Sequence, residues 1–127
     1  MAAPRILIAS PSANAWSETF IAAHMSRLHG VEAIITDGIL PSRVFNGPVL
    51  LAQEGNARLK DQLMAKLRGT DTQGLLRHRV THLLRDRRID VVLAEYGTCA
   101  HALIGPCRAA GVPLVAHFHG FDAHKQS

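Results

Sequence analysis

The run Val112-Pro113-Leu114-Val115-Ala116-His117 is short and apolar, and it stops abruptly in the glycine-bearing segment Phe118-His119-Gly120-Phe121-Asp122. About five apolar residues bounded by turn signals predict a strand buried on both faces, the kind found in parallel sheets. Helices cover both faces of such a sheet, and ligands reach it at the carboxyl ends of the strands. His119, Gly120 and Asp122 fall where this strand opens onto that edge. They are the first candidates for a site.

Similar runs recur along the chain. Residues 5–10 (Arg5-Ile6-Leu7-Ile8-Ala9-Ser10), 31–36 (Val31-Glu32-Ala33-Ile34-Ile35-Thr36) and 90–94 (Asp90-Val91-Val92-Leu93-Ala94) read as strands, and Val49-Leu50-Leu51 as a short third one in chain order. Helical spacing fills the intervals. Ser17 caps a helix carrying Phe20, Ile21, His24, Met25 and Leu28 on one stripe, and Gly30 stops it. From Asn56 to Leu67 the apolar positions Leu59, Leu63, Met64 and Leu67 fit a helix, and Gly69 ends it. After a cap at Thr70-Asp71-Thr72, Leu75, Leu76, Val80, Leu83 and Leu84 line the next helix. Thr98 caps a last helix that turns Leu103, Ile104 and Cys107 inward and ends at Gly111. Strand and helix alternate throughout, which predicts an α/β domain: a doubly wound, Rossmann-like parallel sheet in the order 3-2-1-4-5. All 127 residues fit one domain.

In that order the crevice opens between the first and fourth strands, flanked by the loops at 10–17 and 95–99. The first loop leads to a helix N-terminus, whose free N–H groups suit a phosphate. Ser12, Asn14, Ser17 and Glu18 are its polar candidates. Glu95, Tyr96 and Gly97 follow a buried strand directly, and a carboxylate with a phenol there suits sugar hydroxyls. The dinucleotide fingerprint, a Walker A loop and a nucleophile elbow are absent. His117 and His119 share a strand face, but two imidazoles do not complete a tetrahedral metal site, so no metal and no cofactor are expected.

Net charge is +4, which admits an anionic partner. Arg77, Arg79, Arg85, Arg87 and Arg88 spread around one helix, either as a solvated face or as a patch for an anionic membrane surface. No aromatic residues interleave with them, which weighs against single-stranded nucleic acid. Cys99 and Cys107 lie eight apart in one helical region, too far to bond, and read as free thiols of a reducing cytoplasm. No apolar run approaches the roughly 18 residues that span a bilayer, and the N-terminus lacks the pattern of a signal peptide. The expected location is cytoplasmic, with peripheral contact at the inner membrane face as an option.

Three segments together resemble the N-terminal half of family 4 glycosyltransferases, retaining enzymes of the GT-B fold. Ser17-Glu18-Thr19-Phe20-Ile21 is similar to the start of their first helix. Asp90-Val91-Val92-Leu93-Ala94-Glu95-Tyr96-Gly97 is similar to their strand ending in an aromatic-glycine turn, and His119-Gly120-Phe121-Asp122 matches their H-G-x-D turn. The resemblance implies an acceptor-side domain that faces a second, sugar-nucleotide-binding lobe. His119 would then act as the catalytic residue at the donor sugar, and 12–17 would approach the diphosphate and acceptor. The paired glycines that many members carry in that loop are missing here, as is the E-x7-E motif of the donor lobe. The chain alone is therefore expected to be inactive, and its strand at 112–117 to present an edge for self-association. The alternative reading is a standalone Rossmann-like module that binds a sugar or phosphate without catalysis.

Overall fold

The computed structural model describes residues 4–11 and 30–117. Its elements, in order, are β1 (Ile6–Ala9), β2 (Val31–Thr36), β3 (Arg43–Val44), α1 (Gly55–Leu67), α2 (Thr72–Asp86), β4 (Val91–Glu95), α3 (Gly97–Ala110) and β5 (Leu114–His117). They form a five-stranded sheet in the order β3-β2-β1-β4-β5. β1 pairs in parallel with both β2 and β4, and β4 with β5. The expected α/β class and strand order are both present. The helix expected after Ser17 lies outside the described residues.

The third strand differs from expectation in place and direction. It is Arg43–Val44, antiparallel to β2, with Ile35 opposite Val44 and Thr36 opposite Arg43. Two turns produce it. Asp37 (φ 70°) and Gly38 (φ 126°) reverse the chain just after β2, and Gly38 N–H donates to the Pro11 carbonyl at 2.6 Å. A second reversal at Asn46-Gly47-Pro48 is closed by Val44 N–H donating to the Pro48 carbonyl at 2.9 Å. Val49 makes a single antiparallel bridge to Arg43, and the chain then folds back, with Leu50 and Leu51 N–H both donating to the Ser42 carbonyl. Leu51 is buried in the core without belonging to a strand. The sheet is therefore mostly parallel, with one antiparallel edge.

Strand alternation divides the core in two. Leu7, Ala9, Ala33, Ile35, Val92 and Ala94 pack with Ala65 of α1, with Leu75, Leu76, Val80 and Leu84 of α2, and with Leu103 and Cys107 of α3. Fully burying each leucine contributes about 1.5–3 kcal/mol, so this layer carries most of the stability. A smaller cluster on the other face joins Ile8 and Ile34 with Ile6, Val31, Phe45 and Leu93.

The helix boundaries follow local chemistry. Asp71 caps α2 by accepting from Gly74 N–H at 2.7 Å. Gly111 ends α3 in the left-handed conformation (φ 71°), where a Cβ is disfavoured. At its other end α3 starts earlier than expected: Tyr96, not Thr98, occupies the cap position. In α3, Leu103 and Cys107 face inward as expected, whereas Ile104 is exposed.

α1 forms where its apolar spacing places a helix, but its apolar stripe does not face the core as such stripes ordinarily do. Leu59, Leu63, Met64 and Leu67 are exposed, and the buried residues of the helix are Asp61 and Ala65. An ion pair fixes this orientation. Arg79 Nη2 of α2 donates to Asp61 Oδ1 at 2.9 Å, and Ala52 N–H donates to Asp61 Oδ2 at 2.8 Å. Arg79 Nη1 also donates to the Leu50 carbonyl at 2.7 Å. Three segments are joined through one carboxylate. Burial opposes its ionisation, but the Arg79 hydrogen bond, the Ala52 N–H and the charges of Arg79 and Arg58 outweigh that and hold its pKa below the ordinary aspartate value.

Candidate functional site

At its carboxyl edge the sheet changes from apolar to polar in a single step. Ile34, Ile8, Leu93 and Val115 lie side by side, because Ile8 pairs with Ile34 and Leu93, and Leu93 with Val115. Two residues further along the first three of these strands, on the same face by alternation, the row becomes Thr36, Ser10 and Glu95. Glu95 and His117 are direct partners across β4 and β5. Thr36, Ser10 and Glu95 are almost fully buried, at 2%, 3% and 2% exposure. Two hydroxyls and a carboxylate thus line the place where β1 and β4 end together. The chain turns outward in opposite directions from those two strands, and such switch points are where open α/β sheets bind ligands.

Tyr96 follows Glu95 directly in the chain. It joins β4 to α3 at φ 72° and ψ 143°, a conformation that costs a non-glycine residue on the order of 1–3 kcal/mol. The strain lets a strand pass into a helix without an intervening loop. It also brings the first backbone N–H groups of α3 to the sheet edge with no side-chain cap. Those N–H groups and the positive end of the helix dipole favour an anionic or hydroxyl oxygen.

The thiol of Cys99, one turn into α3, is pushed up to about 12 by burial and by the charge of Glu95. Burial raises Cys107 to about 11. Neither is a nucleophile near neutral pH. Both cysteines are free.

Of the residues expected at the site, Glu95, Tyr96 and Gly97 are brought together at this edge. Ser12, Asn14, Ser17, Glu18, His119, Gly120 and Asp122 lie outside the described residues. Ser10 and Thr36 were not singled out from sequence. Their signal is a hydroxyl residue placed where an apolar run ends. Thr36 Oγ1 is buried with no hydrogen-bond partner among the described residues, which leaves a hydroxyl in the row for a ligand.

Of the arginines in α2 and just past its end, two have partners among the described residues that the sequence does not foretell. Arg79 is tied to Asp61 and Leu50, and Arg85 donates to the Ala109 carbonyl at 2.7 Å. Arg77 and Arg88 remain exposed, and Arg87 is half-buried. Among the described residues no helix is long and apolar enough to cross a membrane.

No family model matches this chain, and no curated protein and no solved structure matches it. Its chemistry is therefore read from its own residues.

Proposed function

We propose that this chain is the acceptor-side, Rossmann-like domain of a retaining glycosyltransferase of the GT-B type, which moves a sugar from a nucleotide-sugar to a glycan, lipid or small-molecule acceptor. The observation that supports it best is the buried Thr36-Ser10-Glu95 row with the strained Tyr96 turn directly after Glu95. Sugar recognition needs polar groups that both donate to and accept from neighbouring hydroxyls, beside an aromatic ring. A carboxylate, two hydroxyls, a phenol and the uncapped N–H groups of α3 supply that set within one turn of the sheet edge.

In this reading Glu95 accepts from acceptor hydroxyls and Tyr96 covers the sugar. His119 stands at the donor side by its resemblance to the H-G-x-D turn. Retaining transfer passes through an oxocarbenium-like state with a departing nucleotide diphosphate. Positioning of the acceptor oxygen and stabilisation of the leaving charge then supply most of the rate. This domain's share is positioning.

Binding is the direct test. Backbone amide NMR spectra of the chain are recorded while octyl glucoside, maltose, UDP-glucose or GDP-mannose is added. The reading expects saturable shifts at Ser10, Thr36 and 95–99 with at least one sugar, lost in Glu95→Gln and in Tyr96→Ala. Shifts at these amides with pyrophosphate but with no sugar would replace the proposal by a phosphate-binding module. No shift with any of these compounds would remove it.

A further inference from the structure

Helix α1 has its leucines on the outside. Leu59, Leu63 and Leu67 recur every four residues and are 62%, 58% and 75% exposed, with Met64 beside them at 42%. A surface helix ordinarily turns such a stripe to the core. Here the Asp61–Arg79 pair and the Ala52 N–H hold the opposite side inward, so the apolar ridge is presented rather than left over. The helix has 13 residues and is about 20 Å long.

The charge around the ridge is of one sign. At 100° per residue, Lys60 and Lys66 border the leucines on either side, and both are exposed. Asp61 is the only acid within α1, and it is neutralised internally by Arg79. The basic border continues past the helix end to Arg68, whose Nη1 lies 3.3 Å from His78 Nε2 of α2. We infer that α1 docks onto the surface of a bilayer containing anionic lipid, with the leucines at the level where head groups meet acyl chains and the two lysines among the head groups. Leucines on one face and lysines along its borders are the pattern of helices that lie in that boundary. Lysine stems are long enough to keep their ammonium groups at the head groups while the leucines go deeper. A second copy of the chain fits less well, because apposed ridges would bring lysine against lysine.

This surface is distinct from the arginines of α2, and it does not depend on the sugar site. The test is co-sedimentation of the whole chain with vesicles of phosphatidylglycerol and phosphatidylcholine in equal parts, against vesicles of phosphatidylcholine alone. The chain is expected to partition onto the anionic vesicles and to stay in solution with the neutral ones. Leu63→Ser with Leu67→Ser should weaken that binding on the order of tenfold or more. Lys60→Gln and Lys66→Gln should each weaken it roughly fivefold. All four side chains are exposed, so the circular dichroism spectrum and melting profile should match those of the parent. Absence of binding to anionic vesicles, or binding unchanged by the leucine substitutions, overturns the inference. Self-association that disappears in the leucine variant without any vesicle binding also overturns it, and assigns the ridge to a second copy.

Discussion

Replacing Asp61 with alanine tests why α1 faces the way it does. The substitution removes the carboxylate that accepts from Arg79 at 2.9 Å and from Ala52 N–H at 2.8 Å. Leaving a buried N–H without an acceptor costs about 1–3 kcal/mol. Stranding the charged partner of a fully buried pair costs about 3–5 kcal/mol. The Arg79 side chain is 32% exposed, so water recovers much of that second term, leaving about 1–2 kcal/mol. Together these give about 2–5 kcal/mol, a large share of the roughly 5–15 kcal/mol that holds a domain folded. Urea unfolding followed at 222 nm measures it, and Asp61→Asn should lose less because its amide oxygen still accepts from Ala52. A double-mutant cycle with Arg79→Met isolates the pair and should show coupling of about 1 kcal/mol or more. Additive single effects, or an Asp61→Ala loss under about 0.5 kcal/mol, would refute the reasoning, because the leucine stripe would then be free to turn inward. Asp61→Leu stabilising the protein would refute it as well.

The same carboxylate sets an acid limit. Its pKa is lower folded than unfolded, so its contribution is complete above the ordinary aspartate value of 3.8 and is lost as the pH falls through the folded value. The stability gap between the parent and Asp61→Asn should be constant near neutrality and shrink below about pH 4; a gap that persists to pH 2 contradicts this. Gly111 sits at φ 71° with open space where its Cβ would be, so Gly111→Ala should lower stability by about 1–2 kcal/mol, and an unchanged or raised stability in urea titrations would disprove the conformational argument. The buried thiols of Cys99 and Cys107, with pKa values of about 12 and about 11, should resist a disulfide reagent at pH 8 until urea unfolds the chain. Rapid labelling of the native protein would contradict that burial.

What the sequence discloses and what it hides divide along one physical line. The runs at 6–9 and 91–95 were legible because a strand in the middle of a parallel sheet needs an uninterrupted apolar run; 114–117 is a strand as expected, but it is not buried on both faces, since it forms the edge of the sheet and Val115 is 50% exposed. The Asp71 cap and the Gly111 stop were legible because caps act within three residues. Glu95, Tyr96 and Gly97 could be placed for the same reason, since they follow a buried strand without a gap. Ser10 and Thr36 could not, because a hydroxyl at a strand end looks like turn chemistry until the register of β1, β2 and β4 sets it in line with Glu95. β3 was misplaced because two reversals, at Asp37-Gly38 and at Asn46-Gly47-Pro48, compete with the apolar run that follows them. The sharpest divergence is α1. Its periodicity specifies a stripe but carries no sign, since leucines every four residues mark a boundary between two environments and not which side is the interior. The sign comes from Asp61 and Arg79, 18 residues apart, and a contact at that separation leaves no local pattern. A helix whose polar side is held inward by an ion pair has used its tertiary structure to keep its apolar side available. The exposed leucines are therefore read as a surface meant for contact, and that reading stands or falls with the ion pair that orients them.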